Sequence, residues 1–272
     1  MKKLSFHVWL CSIFCAFLMI SRVAISQEVE DETEFDYNEE GEKGPTHWGD
    51  LKPEWHSCKT GHMQSPIDLL HERVRIASLF TNIEFNYKPT NATLKNRGHD
   101  IMLKLGHGAG YMVMNRTRYF LQQIHWHSPS EHTINGRRFA LEAHLVHQSQ
   151  NGNYAVIGVV YNIGRRPDYL LSKMKENLEE ISDTCEEKAL DVIDLSMLKM
   201  QSSLYYRYIG SLTTPPCSQN VLWTIVRKVR TVTTEQVKLL RVASHDDSNT
   251  NARPLQPIND RKIQLRIQST IF

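Results

Sequence analysis

Three histidines fall in two short runs, Gln123-Ile124-His125-Trp126-His127 and Glu142-Ala143-His144-Leu145-Val146-His147. Both runs are rich in large apolar residues, and side chains at i and i+2 of a strand point to one face. His125 and His127 therefore converge, and His144 lies on a second alternating segment able to pair with the first. Three neutral imidazoles meeting at one place bind zinc and leave its fourth position open for water, the arrangement of a catalytic rather than a structural site. Gln123 and Glu142 each stand two residues before a ligand and share its face, where each can hydrogen-bond the ligand ring and fix its orientation. A single histidine is more often a surface or satisfied core residue, and in a chain with thirteen of them an i, i+2 pair is unremarkable. The agreement of ligand and partner types sets these two runs apart.

The elements that must position them read as strands. Phe85–Tyr87, Ile101–Leu105, Tyr111–Met114, Tyr119–Leu121 and Ala155–Tyr161 are short and β-prone. The last is apolar nearly throughout, as a central strand buried on both faces is. Asn135-Gly136 and Asn151-Gly152 read as turns between strands. Pro167–Ile181 carries apolar residues at helical spacing, and Thr233 with Gln236 has capping-box spacing ahead of a helix through Leu240. Gly106-His107-Gly108-Ala109-Gly110 lacks the spacing of a nucleotide loop and no helix pattern follows, so it reads as a glycine-rich turn. The expected architecture is one mainly β (α+β) domain: a large central mixed, mostly antiparallel twisted sheet with short peripheral helices.

The 272 residues divide unevenly. Residues 1–26 have a basic start, an apolar run and Ala24-Ile25-Ser26 before Gln27, and read as a secretory signal peptide rather than a membrane anchor. Nine acids and no base lie between Glu28 and Glu42, so 27–42 is expected to be a flexible, solvated arm. The domain proper is 43–272. After the leader, 29 basic residues face 30 acidic ones; without the arm's nine acids the body is +8. No tight basic cluster interleaved with aromatics is present, which argues against nucleic-acid binding. Cys58, Cys185 and Cys217 follow the leader, and an odd count in an oxidising compartment predicts one disulfide and one spare thiol. Asn91-Ala92-Thr93 and Asn115-Arg116-Thr117 make Asn91 and Asn115 candidate glycosylation sites.

Several runs together resemble the alpha-class carbonic anhydrases: Gly44–Gly49, Gln64–Asp68, Asn96–His99, the two histidine runs, Ser130-Glu131-His132-Thr133, Gly210–Cys217 and Asn251–Pro254. The resemblance spans roughly residues 37–267 and is strongest to plant members of secreted type. It implies zinc as the cofactor, held by His125, His127 and His144, with Gln123, Glu142 and the Asn251 backbone carbonyl as partners of the ligands. It implies reversible hydration of carbon dioxide to bicarbonate and a proton. In that family zinc lowers the pKa of its water to about 7, a value belonging to carbonic anhydrases themselves. Thr213 would orient the nucleophile and donate to Glu131, since a carboxylate can only accept. Thr214 would help bind substrate, while Val146, Val156, Leu212 and Trp223 would form the apolar wall for carbon dioxide. Cys58 and Cys217 match the disulfide of secreted relatives. Sulfonamides and anions are the expected inhibitors.

His99 occupies the family's proton-shuttle position. Arg97 shares its face, and a guanidinium there disfavours a second positive charge, so proton transfer is expected to be less efficient than in the fastest relatives. Some plant relatives are storage or nectar proteins with weak or no activity; that is the alternative function, and intact ligands favour the enzyme. A zinc peptidase is disfavoured because no His-Glu-x-x-His is present. The expected destination is the apoplast, with the plastid reachable through the secretory route. The chain is expected to be a monomer or dimer with no stable membrane anchor.

Overall fold

The computed structural model describes residues 34–76, 83–181, 186–198, 204–242 and 250–267. The expected signal peptide and the spare Cys185 lie outside them. Helices α1 (Trp48–Leu51) and α2 (Ser57–Thr60) lead into strands β1 (Asp68–Leu69), β2 (Val74–Ile76), β3 (Glu84–Tyr87) and β4 (Thr90–Asn96). Next come β5 (Ile101–Leu105), β6 (Gly110–Met114), β7 (Thr117–His127), β8 (Thr133–Ile134), β9 (Arg137–Arg138), β10 (Leu141–Ser149) and β11 (Tyr154–Ile163). After α3 (Tyr169–Lys173) and α4 (Lys175–Glu180) follow β12 (Glu187–Ile193), β13 (Leu204–Ser211), β14 (Gln219–Val232), α5 (Thr234–Val242) and β15 (Ile263–Ile267).

Twelve strands form one mixed sheet in the order β12-β4-β5-β7-β10-β11-β14-β13-β15-β2, with β6 pairing β7 and β3 pairing β6. Most pairs are antiparallel; β11–β14 and β15–β2 are parallel. A second, three-stranded sheet joins β1, β8 and β9. Among the described residues, no helix is long and apolar enough to cross a membrane.

The expected Pro167–Ile181 helix is two short ones, broken at Met174 (φ −100°, ψ 3°), and its cap is Asp168, whose carboxylate accepts from Leu170 N and Leu171 N. The capping box ahead of α5 closes both ways, Gln236 N donating to Thr233 Oγ1 and Thr233 N to Gln236 Oε1, each at 3.3 Å. Asn135 and Gly136 take φ of 51° and 73° in the β8–β9 turn, as a tight hairpin requires.

Alternation sorts the three central strands into two faces. Ile124 and Trp126 of β7, Ala143 and Leu145 of β10, and Ala155, Ile157 and Val159 of β11 enter the main core. Their neighbours His125, His127, Glu142, His144, Val146 and Val156 face the other side, where a second cluster built on Ile67, Leu69, Tyr208, Leu212 and Trp223 covers them. Burying both faces makes β11 a nearly continuous apolar run, while β7 and β10 give their second face to the histidines and Glu142.

The acidic arm expected to be solvated over 27–42 is not so throughout. Phe35 and Tyr37 are buried against Trp48 and Trp55. A charge count hides two aromatic residues, which bury large apolar surfaces while Glu34 stays exposed and Asp36 half-buried beside them.

Candidate metal centre

Strand register brings the ligands together. His144 of β10 lies directly opposite His125 of β7, and Glu142 lies opposite His127. One metal-ligating atom each from His125, His127 and His144 lies within 4.8 Å of the others, and all three residues are buried. The remaining ring nitrogens are held by acceptors. His125 Nδ1 donates to Gln123 Oε1 at 2.8 Å, His127 Nδ1 to the Asn251 carbonyl at 2.7 Å, and His144 Nε2 to Glu142 Oε1 at 2.9 Å. Each bond leaves the opposite nitrogen as a lone pair aimed at the common point.

Burial favours this neutral form. It holds His125 well below the ordinary histidine range, with His127, Arg97 and His144 adding repulsion. It also lowers His144, although Glu142 pulls the other way. Burial by itself would raise the Glu142 carboxyl, but His132 and His144 around it hold it well below the usual carboxylate range. Among the described residues His127 Nε2 has no hydrogen-bond partner. An orphaned imidazole nitrogen at such depth fits a zinc ligand, so the donor set suits the metal the resemblance implies.

A second group, His132, Glu142 and His144, is within ligand range but already spends its atoms on itself. His132 Nδ1 donates to Glu142 Oε1 at 2.8 Å and His132 N to Glu142 Oε2 at 2.8 Å, while Tyr208 Oη meets His132 Nε2 at 2.6 Å. This chain of bonds, continued by Ser65 Oγ at 2.8 Å from Tyr208 Oη, was not anticipated for His132. Its place in Ser130-Glu131-His132-Thr133 was the available signal. Gly158, opposite His144, leaves the space: a Cβ there would stand 2.8 Å from Glu142 Oε1 and 2.5 Å from Ile225 Cδ1.

The next row of the same face holds three of the residues expected to form the apolar wall. Gln123, Val146, Val156 and Trp223 lie abreast across β7, β10, β11 and β14. They sit two residues, about 7 Å, from the ligand row. Val146, Val156, Leu212 and Trp223 are all buried. Between Val146 and His147 the β7–β10 register slips by one residue, so that His147 meets Leu121 and Gln122 is left over. This bulge ends the alternation that serves the site. A cleft lined by Arg97, Met102, Gln123, Val146 and Tyr154, among others, opens beside it.

Thr213 and Thr214 are buried in the loop after β13, which contains a cis Pro215–Pro216 bond and ends at the Cys58–Cys217 disulfide. Glu131 Oε1 accepts from Arg253 N at 2.9 Å. Its Oε2 has no hydrogen-bond partner among the described residues and lies 3.6 Å from His127 Nε2. Arg253, also unanticipated, is buried; burial pulls its guanidinium down to about 10, still charged at neutral pH. It donates to Gln64 Oε1, Ser65 O and Cys58 O, tying the first helices to Glu131.

His99 and Arg97, expected to be a shuttle and a cation beside it, are both buried. Arg97 is buried and forms a two-pronged ion pair with Asp100, Nε to Oδ1 at 2.7 Å and Nη2 to Oδ2, so its charge has a counterion. His99 is only 6% exposed. The sequons lie apart: Asn91 is exposed on β4 at the cleft, and Asn115 is exposed in the β6–β7 turn with φ 51°.

A twisted mixed sheet that presents three histidines through antiparallel register, with buried apolar side chains one row away, is a frame able to hold a metal ion at an open site. The family model for eukaryotic-type carbonic anhydrase matches residues 43–267, and the chain belongs to that family. Alpha carbonic anhydrase 7 of Arabidopsis thaliana is 58% identical over 261 residues, covering 96% of this chain and 94% of its own. Dioscorin complexed with ascorbate superposes with a TM-score of 0.83 at 42% identity, covering 87% of this chain and 99% of that one. The alpha-carbonic anhydrase of Thermovibrio ammonificans with the inhibitor sulfanilamide gives 0.75 at 36% identity, covering 85% and 98%.

Proposed function

We propose that this protein catalyses the zinc-dependent reversible hydration of carbon dioxide to bicarbonate and a proton. The observation that carries the reading is the convergence of His125, His127 and His144 within 4.8 Å, each with its other nitrogen held. A zinc ion there supplies a Lewis acid and makes water acidic enough to act as nucleophile at neutral pH. The chain's own residues then divide the work. Gln123, Glu142 and the Asn251 carbonyl orient the ligands. Val146, Val156, Leu212 and Trp223 offer a small molecule with no net dipole an apolar surface where no hydrogen bond is wanted. Glu131 Oε2, left without a hydrogen-bond partner among the described residues, is placed to accept from the Thr213 hydroxyl once that side chain turns to it; the Thr213 lone pair would then face the nucleophile and select for a partner that can donate. Thr214 borders the same space, and His99 relays the proton outward. The disulfide supports passage through an oxidising compartment, the secretory route with the apoplast as its end. Sulfonamides and small anions would compete at the centre.

Zinc content and stopped-flow hydration of carbon dioxide test the reading on purified protein, with and without a sulfonamide. One zinc per chain and inhibitable hydration are expected, both lost in His127→Ala. Protein that stays metal-free and inactive after zinc is added back would overturn it and favour the storage or nectar-type alternative.

A further inference from the structure

His99 is gripped from two sides. Its backbone belongs to a tight turn in which Arg97 N donates to Asp100 O at 3.0 Å and Gly98 N to Asn96 Oδ1 at 2.9 Å. The Arg97–Asp100 ion pair clasps that turn. Asn251 Nδ2 donates to His99 O at 2.9 Å, and the Asn251 carbonyl accepts from His127 Nδ1–H. The turn is therefore anchored to the metal centre, and rotation of the side chain is the cheap motion left to the imidazole.

The imidazole itself is turned under the N-terminal segment. His99 Nε2 donates to the Phe35 carbonyl. The Phe35 ring lies 5.4 Å from the imidazole at 36°, and the Tyr37 ring 5.4 Å away at 79°. Phe35 is in turn wedged edge-on against Trp48 at 5.0 Å and Trp55 at 6.1 Å. Trp48 Nε1 pins the segment's backbone through Asp36 O and Lys43 O at 3.1 and 3.0 Å. From this turn, the side chain that lines the cleft bordered by Gln123 and Val146 is Arg97, not His99.

We propose that Phe35 is a positioning residue, whose carbonyl and ring hold the His99 imidazole beneath the N-terminal segment and out of the cleft. Relay through His99 is then restrained whenever the segment is docked, and release of Phe35 speeds it. The restraint rests on the reading of His99 as the relay; the docked position of the imidazole does not. A relay must exchange protons with both the cleft and bulk water. An imidazole whose Nε2–H is hydrogen-bonded to a buried carbonyl cannot pass that proton to either until that bond breaks. Phe35→Ala keeps the backbone carbonyl but removes the ring that docks it; undocking the segment then loses one net hydrogen bond, which shifts such an equilibrium roughly fivefold.

The test compares the mature chain with Phe35→Ala and Phe35→Trp, each with and without His99→Ala. Diethyl pyrocarbonate modification, mapped by peptide mass spectrometry, reads the docked position without any need for activity. In the unaltered chain His99 should react at least about fivefold more slowly than the exposed His56. Phe35→Ala should remove that protection, and Phe35→Trp should keep it. If His99 already reacts as fast as His56 in the folded unaltered chain, the proposal falls, and this comparison stands even where Phe35→Ala does not fold. The second reading is the ratio of turnover in minimal buffer to turnover in saturating imidazole, which cancels effects on hydration itself. It should rise roughly fivefold in Phe35→Ala and return to the His99→Ala value in the double variant. A rise that survives His99→Ala, or no rise at all despite unmasking of His99, would overturn the restraint. Failure of the enzyme reading would show separately, as no turnover in any buffer.

Discussion

Replacing Glu142 by glutamine removes one charge and adds two hydrogens, and the geometry dictates the cost. The carboxylate accepts three bonds: His144 Nε2–H and His132 Nδ1–H on Oε1, and His132 N–H on Oε2, all between 2.8 and 2.9 Å. An amide can place its oxygen toward the two imidazoles, but then its NH2 meets the His132 N–H, donor against donor. That leaves a buried donor unsatisfied, at about 1–3 kcal/mol of stability. Turned the other way, the NH2 faces His144 Nε2, which must give up its proton; Nδ1 then carries it and is lost as a metal ligand. Either way His144 is misplaced or mis-protonated. Partners of this kind, those of carbonic anhydrases included, are worth about 10–100-fold in metal affinity, or about 1.4–2.7 kcal/mol. Competition with a chelator at pH 7.5 measures the zinc dissociation constant, and a urea titration of the metal-free protein measures stability. A Glu142→Gln protein that binds zinc within about twofold of the parent and unfolds at the same urea midpoint would refute the account of how His144 is held.

Two further outcomes follow from neighbouring residues. Gly158→Ala would bring a Cβ to 2.8 Å from the Glu142 carboxylate, which three bonds hold in place, and should cost about 1–3 kcal/mol in urea unfolding while loosening zinc; an unchanged midpoint and zinc affinity would show that the sheet yields there. His147 is buried, with Nδ1 donating to Leu145 O and Nε2 meeting Tyr87 Oη at 2.7 Å, and burial pulls it down to about 3. The unfolded chain binds this proton below pH 6.5 and the folded one does not, so its contribution is complete above 6.5 and is lost as pH falls toward 3. From pH 7 to 5 that amounts to about 2 kcal/mol, and the stability of His147→Gln should fall less steeply over that range; equal slopes in urea titrations at each pH would disprove the assignment.

The candidate metal ligands are legible in the order of residues alone because a strand's period is two. Once Gln123, His125 and His127 alternate with Ile124 and Trp126, their common face follows, and the same holds for Glu142, His144 and Val146. The turn at Asn135-Gly136 and the capping box at Thr233 and Gln236 are equally local, since they depend on φ preference and on hydrogen bonds that span three residues. What the chain order withholds is everything set by register between distant strands and by packing across the sheet. That His125 faces His144 directly, that Trp223 lines up with Val156 through a parallel pair, and that Gly158 clears room for Glu142 depend on pairings between separate strands. His132 and Arg253 acquire their roles only when Tyr208 and Gln64 are brought against them. The acidic arm shows the limit most plainly. Local charge predicts solvent, but the free energy of Phe35 and Tyr37 is decided by the tryptophans that come to lie beneath them, and with it the place of His99. Periodicity specifies which side of a strand a residue takes; only the closed fold specifies what waits on that side.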